Sequence, residues 1–204
     1  LDAGAGEGQY RPLFTHTRYE AMDFCKVDKA YGRIDVIANL AALPAASARY
    51  DHVVCTQVLE HLPEPRAVLD ELFRVLKPGG SLWLSAPFFF QEHEVPYDFY
   101  RYTRYGLRHL LESAGFQVER IDWMEGYYAS LSYQFETAGR ALPVGWRAYA
   151  ATPLSGCLPG AMAMGLKPFF RILARVFARL EISHKYDTAG FGKNFIAVAH
   201  KPAV

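Results

Sequence analysis

Short apolar runs alternate with helical patterns over the first 123 residues of the chain. Residues 51–56 are largely apolar and β-branched, which is typical of a strand covered on both faces. Over residues 65–76, apolar side chains recur every three or four positions with charged residues between them, which predicts an amphipathic helix. This alternation predicts a parallel sheet with helical connections. The predicted strands are residues 19–24, 34–39, 50–56, 81–88 and 116–123.

Turn-forming and capping residues mark where these helices begin and end. The Lys-Pro-Gly-Gly segment at residues 77–80 predicts the end of the first helix and a turn before the next strand. A second helix is predicted at residues 103–114. Thr103 is the expected N-cap of that helix, and Gly115 lies just past its end.

The pattern changes after residue 123. Residues 127–183 contain no clear strand, and a last strand is predicted at residues 193–200. Within this stretch a helix is predicted at residues 167–181, with an apolar stripe and with basic residues at every fourth position. The basic positions are Lys167, Arg171, Arg175 and Arg179, and the stripe consists of Phe169, Phe170, Ile172, Leu173, Val176, Phe177 and Leu180.

These patterns divide the chain into three segments. We expect a core sheet over residues 1–124, a helical insert that covers the substrate over 125–190, and the final strand of the core over 191–204. The chain opens on Leu-Asp-Ala-Gly, the pattern of a buried strand that runs into a glycine turn. We therefore expect that residues upstream of Leu1 are missing.

Composition narrows the possible classes of protein. With 51% hydrophobic and 21% charged residues in 204, the chain has the profile of a soluble globular protein. A formal net charge of +1 argues against a dedicated nucleic-acid binder. Cys25, Cys55 and Cys157 form no CxxC pair, so we expect no disulfide framework, no metal site and a cytoplasmic location. No apolar run approaches the ~20 residues that a membrane span requires.

The segment 1–8, Leu-Asp-Ala-Gly-Ala-Gly-Glu-Gly, predicts a glycine turn between a strand and a helix. Its GxGxG spacing differs from the GxGxxG of dinucleotide-binding proteins. Asp2 and Glu7 bracket the glycines, and carboxylates there would repel a pyrophosphate at the helix N-terminus. They suit a ligand with an amine and a sulfonium. The alternative is that both acids cap the following helix.

Asp23 lies at the end of the strand predicted at residues 19–24, about fifteen residues after the glycine loop. An acid at this place can accept hydrogen bonds from two ribose hydroxyls. The alternative is a solvated turn residue, and Asp28 and Asp35 are competing acids nearby.

Five sequence features in this order resemble the class I S-adenosylmethionine (SAM)-dependent methyltransferases, especially the bacterial ubiquinone-biosynthesis type. They are the glycine loop, Asp23, and residues 39–44, 50–62 and 76–80. The resemblance implies a Rossmann-like α/β fold. It has three layers, a seven-stranded, mostly parallel sheet whose last strand is antiparallel, and a helical insert before that strand.

The resemblance also implies how SAM is bound across the C-terminal strand ends. The glycine loop would hold the methionine part, Asp23 the ribose, Asn39 with Leu40 the adenine, and Thr56 with Gln57 the methyl donor. The family often has an acid at the Asn39 position, so we expect weaker adenine selectivity here. The loop residues concerned are Asp2, Gly4, Ala5, Gly6 and Gly8.

The segment 91–102 follows the strand predicted at residues 81–88 and combines a histidine, three acids, an arginine and several aromatic residues. His93 is the leading candidate for a general base, with Glu94 or Asp98 orienting it. Tyr97, Tyr100 and Arg101 would shape the acceptor pocket or hold an anionic group. The alternative is a structural lid in which Arg101 pairs with Asp98 and His93 caps a turn. His61 is a second candidate base, or it anchors the turn after the strand predicted at residues 50–56.

The function predicted from these features is methyl transfer from SAM to an oxygen, nitrogen or carbon acceptor on a small molecule. The alternatives are a SAM-binding or membrane-peripheral protein without turnover and, on weaker grounds, an NAD-dependent oxidoreductase. The basic helix at 167–181 would contact an anionic membrane or a lipid-like acceptor, or it packs on the domain with a solvated arginine face. The sequence leaves the oligomeric state open.

Overall fold

The structure, a computed structural model, describes residues 1–143, 145–148 and 153–203. The side chains of Trp146 and of residues 153–158, and with them Cys157, lie outside this description. The described chain divides into two compact units. Unit 1 is Leu1–Met124 with Asn194–Val204, and unit 2 is Glu125–Lys193. That the insert covers the substrate stays a prediction.

Unit 1 contains a seven-stranded sheet with the strand order β3-β2-β1-β4-β5-β7-β6. β7 is antiparallel to both of its neighbours, and the pairs from β3 to β5 are parallel. The predicted Rossmann-like sheet with an antiparallel last strand is therefore confirmed. The strands are β1 Asp2–Ala3, β2 Ala21–Asp23, β3 Val36–Ile37, β4 Tyr50–Thr56, β5 Leu76–Pro87, β6 Gln117–Trp123 and β7 Asn194–His200.

Two helices of unit 1 confirm the sequence patterns. Helix α1, Pro65–Val75, buries Val68, Leu69, Leu72 and Val75 against the sheet core, as its three-to-four-residue periodicity predicts. Helix α2, Arg104–Ser113, begins after Thr103, whose side chain accepts a hydrogen bond from the Gly106 backbone amide at 3.0 Å.

Three sequence predictions about unit 1 are corrected. The glycine loop leads into a four-residue 3-10 helix, Arg11–Phe14, instead of an α-helix, and because Gly4, Gly6 and Gly8 all have positive φ values, no right-handed helix begins in the loop itself. Residues 77–80 lie inside β5, where the register against β4 shifts between Tyr50 and His52, instead of forming a separate turn. The strand predicted at residues 34–39 shortens to Val36–Ile37, which lies at the edge of the sheet beside β2.

Unit 2 is built from two helices that pack on each other, α3 (Tyr127–Ala141) and α4 (Pro153–Ser183). The sequence analysis did not predict α3, and it began α4 at residue 167, whereas the helix begins at Pro153 and continues through Pro159 and Pro168. Ring contacts join the two helices: Phe135 stacks on Phe170 and on Phe177. Among the described residues, no helix is both long and apolar enough to cross a membrane.

Candidate active site

Four parallel strands of unit 1 end at one edge of the sheet. Gly4 follows β1, Asp23 ends β2, Asn39 lies just after β3 and Gln57 follows β4. The strand order runs outward in opposite directions from β1 and β4, and ligands in open α/β sheets bind at such a reversal. All four residues line one cavity of about 420 Å³, a volume typical of small-molecule sites.

Other parts of unit 1 complete the wall of this cavity. They are the segment after β2, the 3-10 turn after β4 and the loop after β5. The lining residues from these parts include Phe24, Lys26, Val27, Lys29, Tyr31, Val58, His61, Leu62, Pro63, Glu64, Glu94, Tyr97 and Phe99.

The glycine loop leaves no room for a side chain at its first glycine. Gly4 has a φ of +81°, and a Cβ there would lie 2.4 Å and 2.7 Å from the two methyl carbons of Val58. Gly6 has a φ of +52°, and the nearest atom to its added Cβ would be the Lys29 Nζ at 4.0 Å. The loop is therefore packed on one side and open on the other, which suits close approach of a ligand to the backbone.

Backbone amides hold the Asp23 carboxylate in place. Its Oδ2 accepts from the Gly6 N–H and its Oδ1 from the Cys25 N–H, both at 2.9 Å. Each carboxylate oxygen has a second lone pair for a ligand hydroxyl. Asp23 thus connects the glycine loop to the end of β2 and presents acceptors toward the cavity.

Residues with an unusual backbone conformation surround the cavity. Gln57, Glu94 and Cys25 have φ values of +53°, +54° and +53°, although none of them is glycine. Gln57 is held there by its backbone N–H and its Nε2, which donate to the Ser85 carbonyl and hydroxyl oxygens, both at 3.0 Å. Such strain concentrates at functional sites, where the surrounding structure maintains it.

Arg101 fastens the loop after β5 to itself. It donates to both oxygens of Asp98 at 2.6 Å and 2.8 Å, and to the carbonyl oxygens of Phe90, Gln91 and Tyr100. These bonds use all five guanidinium N–H groups, so none remains for an anionic substrate group. The arginine lowers the pKa of Asp98 to about 2. This geometry favours the structural-lid alternative for Arg101 and Asp98.

Four titratable side chains meet where this loop reaches the turn after β4. The His61 Nε2 lies 3.8 Å from a carboxylate oxygen of Glu60 and 3.8 Å from one of Glu94. The His61 and His93 rings are in edge contact, with centroids 4.7 Å apart. Burial raises the pKa of Glu60 to about 7 and lowers the pKa of His61. Glu94 also pairs with Lys29 at 2.7 Å.

Comparison with known proteins identifies the family. A family described as a methyltransferase domain matches residues 1–84, the segment that contains the glycine loop, Asp23, Asn39 and Gln57. The matched residues carry a SAM-dependent methyltransferase domain. The predicted family is therefore confirmed, and with it SAM as the cofactor of the domain.

The relatives that match cover parts of the chain. A probable SAM-dependent methyltransferase of Mycolicibacterium smegmatis is 35% identical over 133 residues, 58% of this chain and 52% of the relative. A ubiquinone biosynthesis O-methyltransferase of Xanthomonas oryzae pv. oryzae is 43% identical over 53 residues, 26% of this chain and 21% of the relative. The chain thus spans about half the length or less of these curated relatives.

A solved structure shows the same fold. The SAM-dependent methyltransferase from Archaeoglobus fulgidus superposes with a TM-score of 0.53 and 15% identity, covering 98% of this chain and 85% of the other. At this identity the likeness establishes the fold alone.

The cofactor residues predicted for the methyltransferase domain fall into two groups. Gly4, Asp23, Asn39, Leu40 and Gln57 line the cavity. The other five, Asp2, Ala5, Gly6, Gly8 and Thr56, do not belong to its lining. Their roles toward SAM stay predictions.

Asp2 shows why one of them lies apart. It is 1% exposed, and its carboxylate accepts a hydrogen bond from the Tyr19 hydroxyl. Burial raises its pKa. The side chain of Asp2 therefore points into the core of the methyltransferase domain, beneath the glycine loop.

The acceptor-side predictions are divided in the same way. Glu94, Tyr97 and His61 line the cavity, whereas His93 and Tyr100 do not. The Tyr100 hydroxyl donates to the Pro63 carbonyl oxygen at 3.0 Å and so joins the loop to the turn after β4. The backbone N–H of His93 donates to Asp98 at 2.8 Å, as the structural-lid alternative expects.

Sequence reasoning missed two features of the site. It assigned no role to Lys29, which lines the cavity and pairs with Glu94, 65 positions away. It also expected no metal site and did not bring together Glu60, His61 and His93, each of which offers a ligand atom within 4.8 Å of the others. Glu60 stands among apolar residues in the segment Val-Leu-Glu-His-Leu at residues 58–62. This was the signal in the sequence for a buried functional carboxylate.

Proposed function

We propose that the chain transfers the methyl group of SAM to an oxygen, nitrogen or carbon acceptor on a small molecule. The observation that carries the proposal is the single cavity lined by Gly4, Asp23, Asn39 and Gln57, one residue from the end of each of four neighbouring strands. Much of the remaining lining is apolar, which supports a small-molecule acceptor. The free cysteines Cys25 and Cys55 support a cytoplasmic location.

The reaction is an in-line displacement at the methyl carbon. The bond to the acceptor forms while the carbon–sulfur bond breaks, and its electron pair returns to sulfur to leave neutral S-adenosylhomocysteine. Positioning and exclusion of water provide much of the acceleration, because the sulfonium is a good leaving group. A base is needed only for an acceptor that loses a proton. Of the three predicted catalytic residues, His61, a candidate base, and Glu94, predicted to orient His93, line the cavity.

Thermal unfolding tests cofactor binding directly. S-adenosylhomocysteine at a hundred times its Kd is expected to stabilise the folded chain by about 2.7 kcal/mol, a rise in Tm of roughly 5–10 °C. NAD at the same concentration should leave the Tm unchanged, because carboxylates flank the glycine loop. A shift with NAD and none with S-adenosylhomocysteine would contradict the proposal and favour the oxidoreductase alternative.

A measurement of methylated product distinguishes an active methyltransferase from a protein that binds SAM without turnover. Isotope-labelled SAM incubated with a panel of phenolic, amine and carbon acceptors should yield labelled product with the wild-type chain. Stoichiometric SAM binding with no transfer across that panel would favour a SAM-binding protein without turnover.

We also propose that α4 of unit 2 contacts an anionic membrane surface. Phe169, Ile172, Val176 and Leu180 are 52%, 56%, 43% and 37% exposed, although they belong to the predicted apolar stripe. Arg171, Arg175 and Arg179 are exposed as well, and each immediately precedes one of these apolar residues. An apolar stripe beside a basic one suits a surface of acidic lipids. Lys167, the fourth predicted basic position, is half-buried.

Vesicle co-sedimentation tests this contact. The triple variant Arg171→Ala, Arg175→Ala and Arg179→Ala is expected to bind vesicles that contain about 30% phosphatidylserine roughly 100-fold more weakly than the wild type. Each arginine near an anionic surface contributes about 1 kcal/mol to binding. The matched control removes three surface arginines of unit 1, Arg66, Arg108 and Arg120, whose side chains are 50%, 39% and 49% exposed. Equal binding of both triple variants would refute the contact. Binding of the wild type to purely zwitterionic vesicles as strongly as to the anionic ones would refute it as well.

A further inference from the structure

Three potential metal ligands converge beside the cavity of the methyltransferase domain. One ligand atom from each of Glu60, His61 and His93 lies within 4.8 Å of the other two. When an ion is bound with bonds of about 2.1 Å, its ligand atoms lie roughly 3–3.5 Å from one another. Side-chain rotations that move these ligand atoms by about 1 Å would therefore complete the site. Glu94, 3.8 Å from the His61 Nε2, is a further oxygen donor within reach.

Glu60 is the observation that points to a cation. The residue is 0% exposed, and neither of its carboxylate oxygens has a hydrogen-bond partner among the described residues. Buried carboxylates are as a rule paired, hydrogen-bonded or bound to a metal. The His61 ring lies beside Glu60, but its Nε2 is 3.8 Å from the carboxylate, beyond hydrogen-bond distance. The structure thus contains a buried acceptor group aimed at two imidazoles without a direct partner.

The two histidines are oriented as metal ligands are. The His61 Nδ1 lies 2.5 Å from the Tyr97 carbonyl oxygen, so this nitrogen carries the proton and Nε2 keeps its lone pair. The His93 Nδ1 lies 3.2 Å from the Gln91 carbonyl oxygen and 3.4 Å from the Asp98 carboxylate. Metal-bound histidines typically donate the second ring N–H to a carbonyl or carboxylate in this way.

We propose that Glu60, His61 and His93 bind one divalent first-row transition-metal ion. Two imidazole nitrogens and a carboxylate oxygen match that class of ion better than Mg²⁺ or Ca²⁺, which prefer oxygen ligands alone. The site adjoins the cavity through His61 and Glu94, which line it. An ion at this place would attract the oxygen atom of an acceptor. Of the oxygen, nitrogen and carbon acceptors proposed above, the metal site therefore favours hydroxyl compounds. This narrowing rests on the proposed function, whereas metal binding does not.

Titration with Co²⁺ of the whole chain, freed of metal by a chelator, tests the site. We expect one Co²⁺ per chain by calorimetry, with d–d absorption of nitrogen and oxygen ligation. Glu60→Gln keeps the side-chain volume and removes the charge, so the variant should remain folded and bind Co²⁺ at least about 100-fold more weakly. His93→Gln should weaken binding similarly, and it provides a second test if one variant fails to fold.

The matched control is His109→Gln, the same substitution at an exposed histidine of α2 outside the cluster. It should bind Co²⁺ like the wild type. Equal affinity in the wild type, Glu60→Gln and His93→Gln, or a thiolate charge-transfer band in place of the expected spectrum, would overturn the site. S-adenosylhomocysteine titrated into the same metal-free protein separates the two claims. Its binding without any Co²⁺ binding rejects the metal site and leaves methyl transfer standing, and the reverse result rejects the proposed function alone.

Discussion

Replacing Asp23 with alanine is expected to weaken S-adenosylhomocysteine binding by about 100-fold or more. The carboxylate lines the cavity and is oriented by the Gly6 and Cys25 backbone N–H groups. Hydrogen bonds to a charged group contribute about 1.5–3 kcal/mol each, and two lost bonds to ribose hydroxyls amount to about 3 kcal/mol or more. That loss corresponds to about two orders of magnitude in Kd. Calorimetric titration measures it.

Asp35 is the matched control for this substitution. Its carboxylate also holds backbone in place, accepting from the Ala21 N–H at 3.0 Å and from Arg11 at 2.6 Å, but it does not line the cavity. Asp35→Ala should lower the stability of the sheet edge and leave the Kd unchanged for folded protein. Equal loss of affinity in both variants would show that Asp23 acts through the fold and would remove its role in ribose binding.

Replacing Gly4 with alanine is expected to destabilise unit 1 by about 2–5 kcal/mol. A non-glycine residue at a φ of +81° costs about 1–2 kcal/mol. The added Cβ at 2.4 Å from a Val58 methyl carbon requires repacking, which costs about 1–3 kcal/mol more. Denaturant unfolding measures the sum, and the loss of the loop geometry should weaken S-adenosylhomocysteine binding as well.

Gly79 separates the two contributions. It has a similar φ of +77°, but a Cβ there would meet no atom within 4 Å, so Gly79→Ala should show the backbone cost alone. Adding Val58→Ala to Gly4→Ala should restore the steric part of the stability. If Gly4→Ala and Gly79→Ala destabilise equally, the close packing of the glycine loop on Val58 is not what requires a glycine at position 4.

Local patterns made much of unit 1 predictable. The bounds of β4 agree with the prediction, α1 begins at the predicted residue, and Thr103 caps α2 as expected. These features depend on side-chain periodicity and on hydrogen bonds between residues three or four positions apart. The order of the motifs then sufficed to recognise the methyltransferase domain, because parallel strand ends bring Gly4, Asp23, Asn39 and Gln57 to one edge.

Unit 2 shows where local patterns fail. The helix α3 has a weakly separated apolar face, and its stability depends on aromatic contacts with α4 more than on its own sequence. Of the seven residues of the predicted apolar stripe of α4, Phe170 and Phe177 pack on Phe135 of α3, whereas four others are exposed. Periodicity identifies an apolar face, but what covers that face depends on the packing of the whole unit.

By itself, the sequence determined the family, the parallel sheet and the edge of the sheet at which the cavity lies, because these follow from local periodicity and from motifs at strand ends. Only the tertiary structure decided which side chains meet there. In the structure, every donor of Arg101 is used within the loop after β5. The side chain of Asp2 points into the core, and Lys29 pairs with Glu94. The tertiary structure also brought His93 to Glu60 and His61. Such contacts join residues far apart in the chain, and their geometry depends on how strands and loops pack, which no short stretch of sequence encodes.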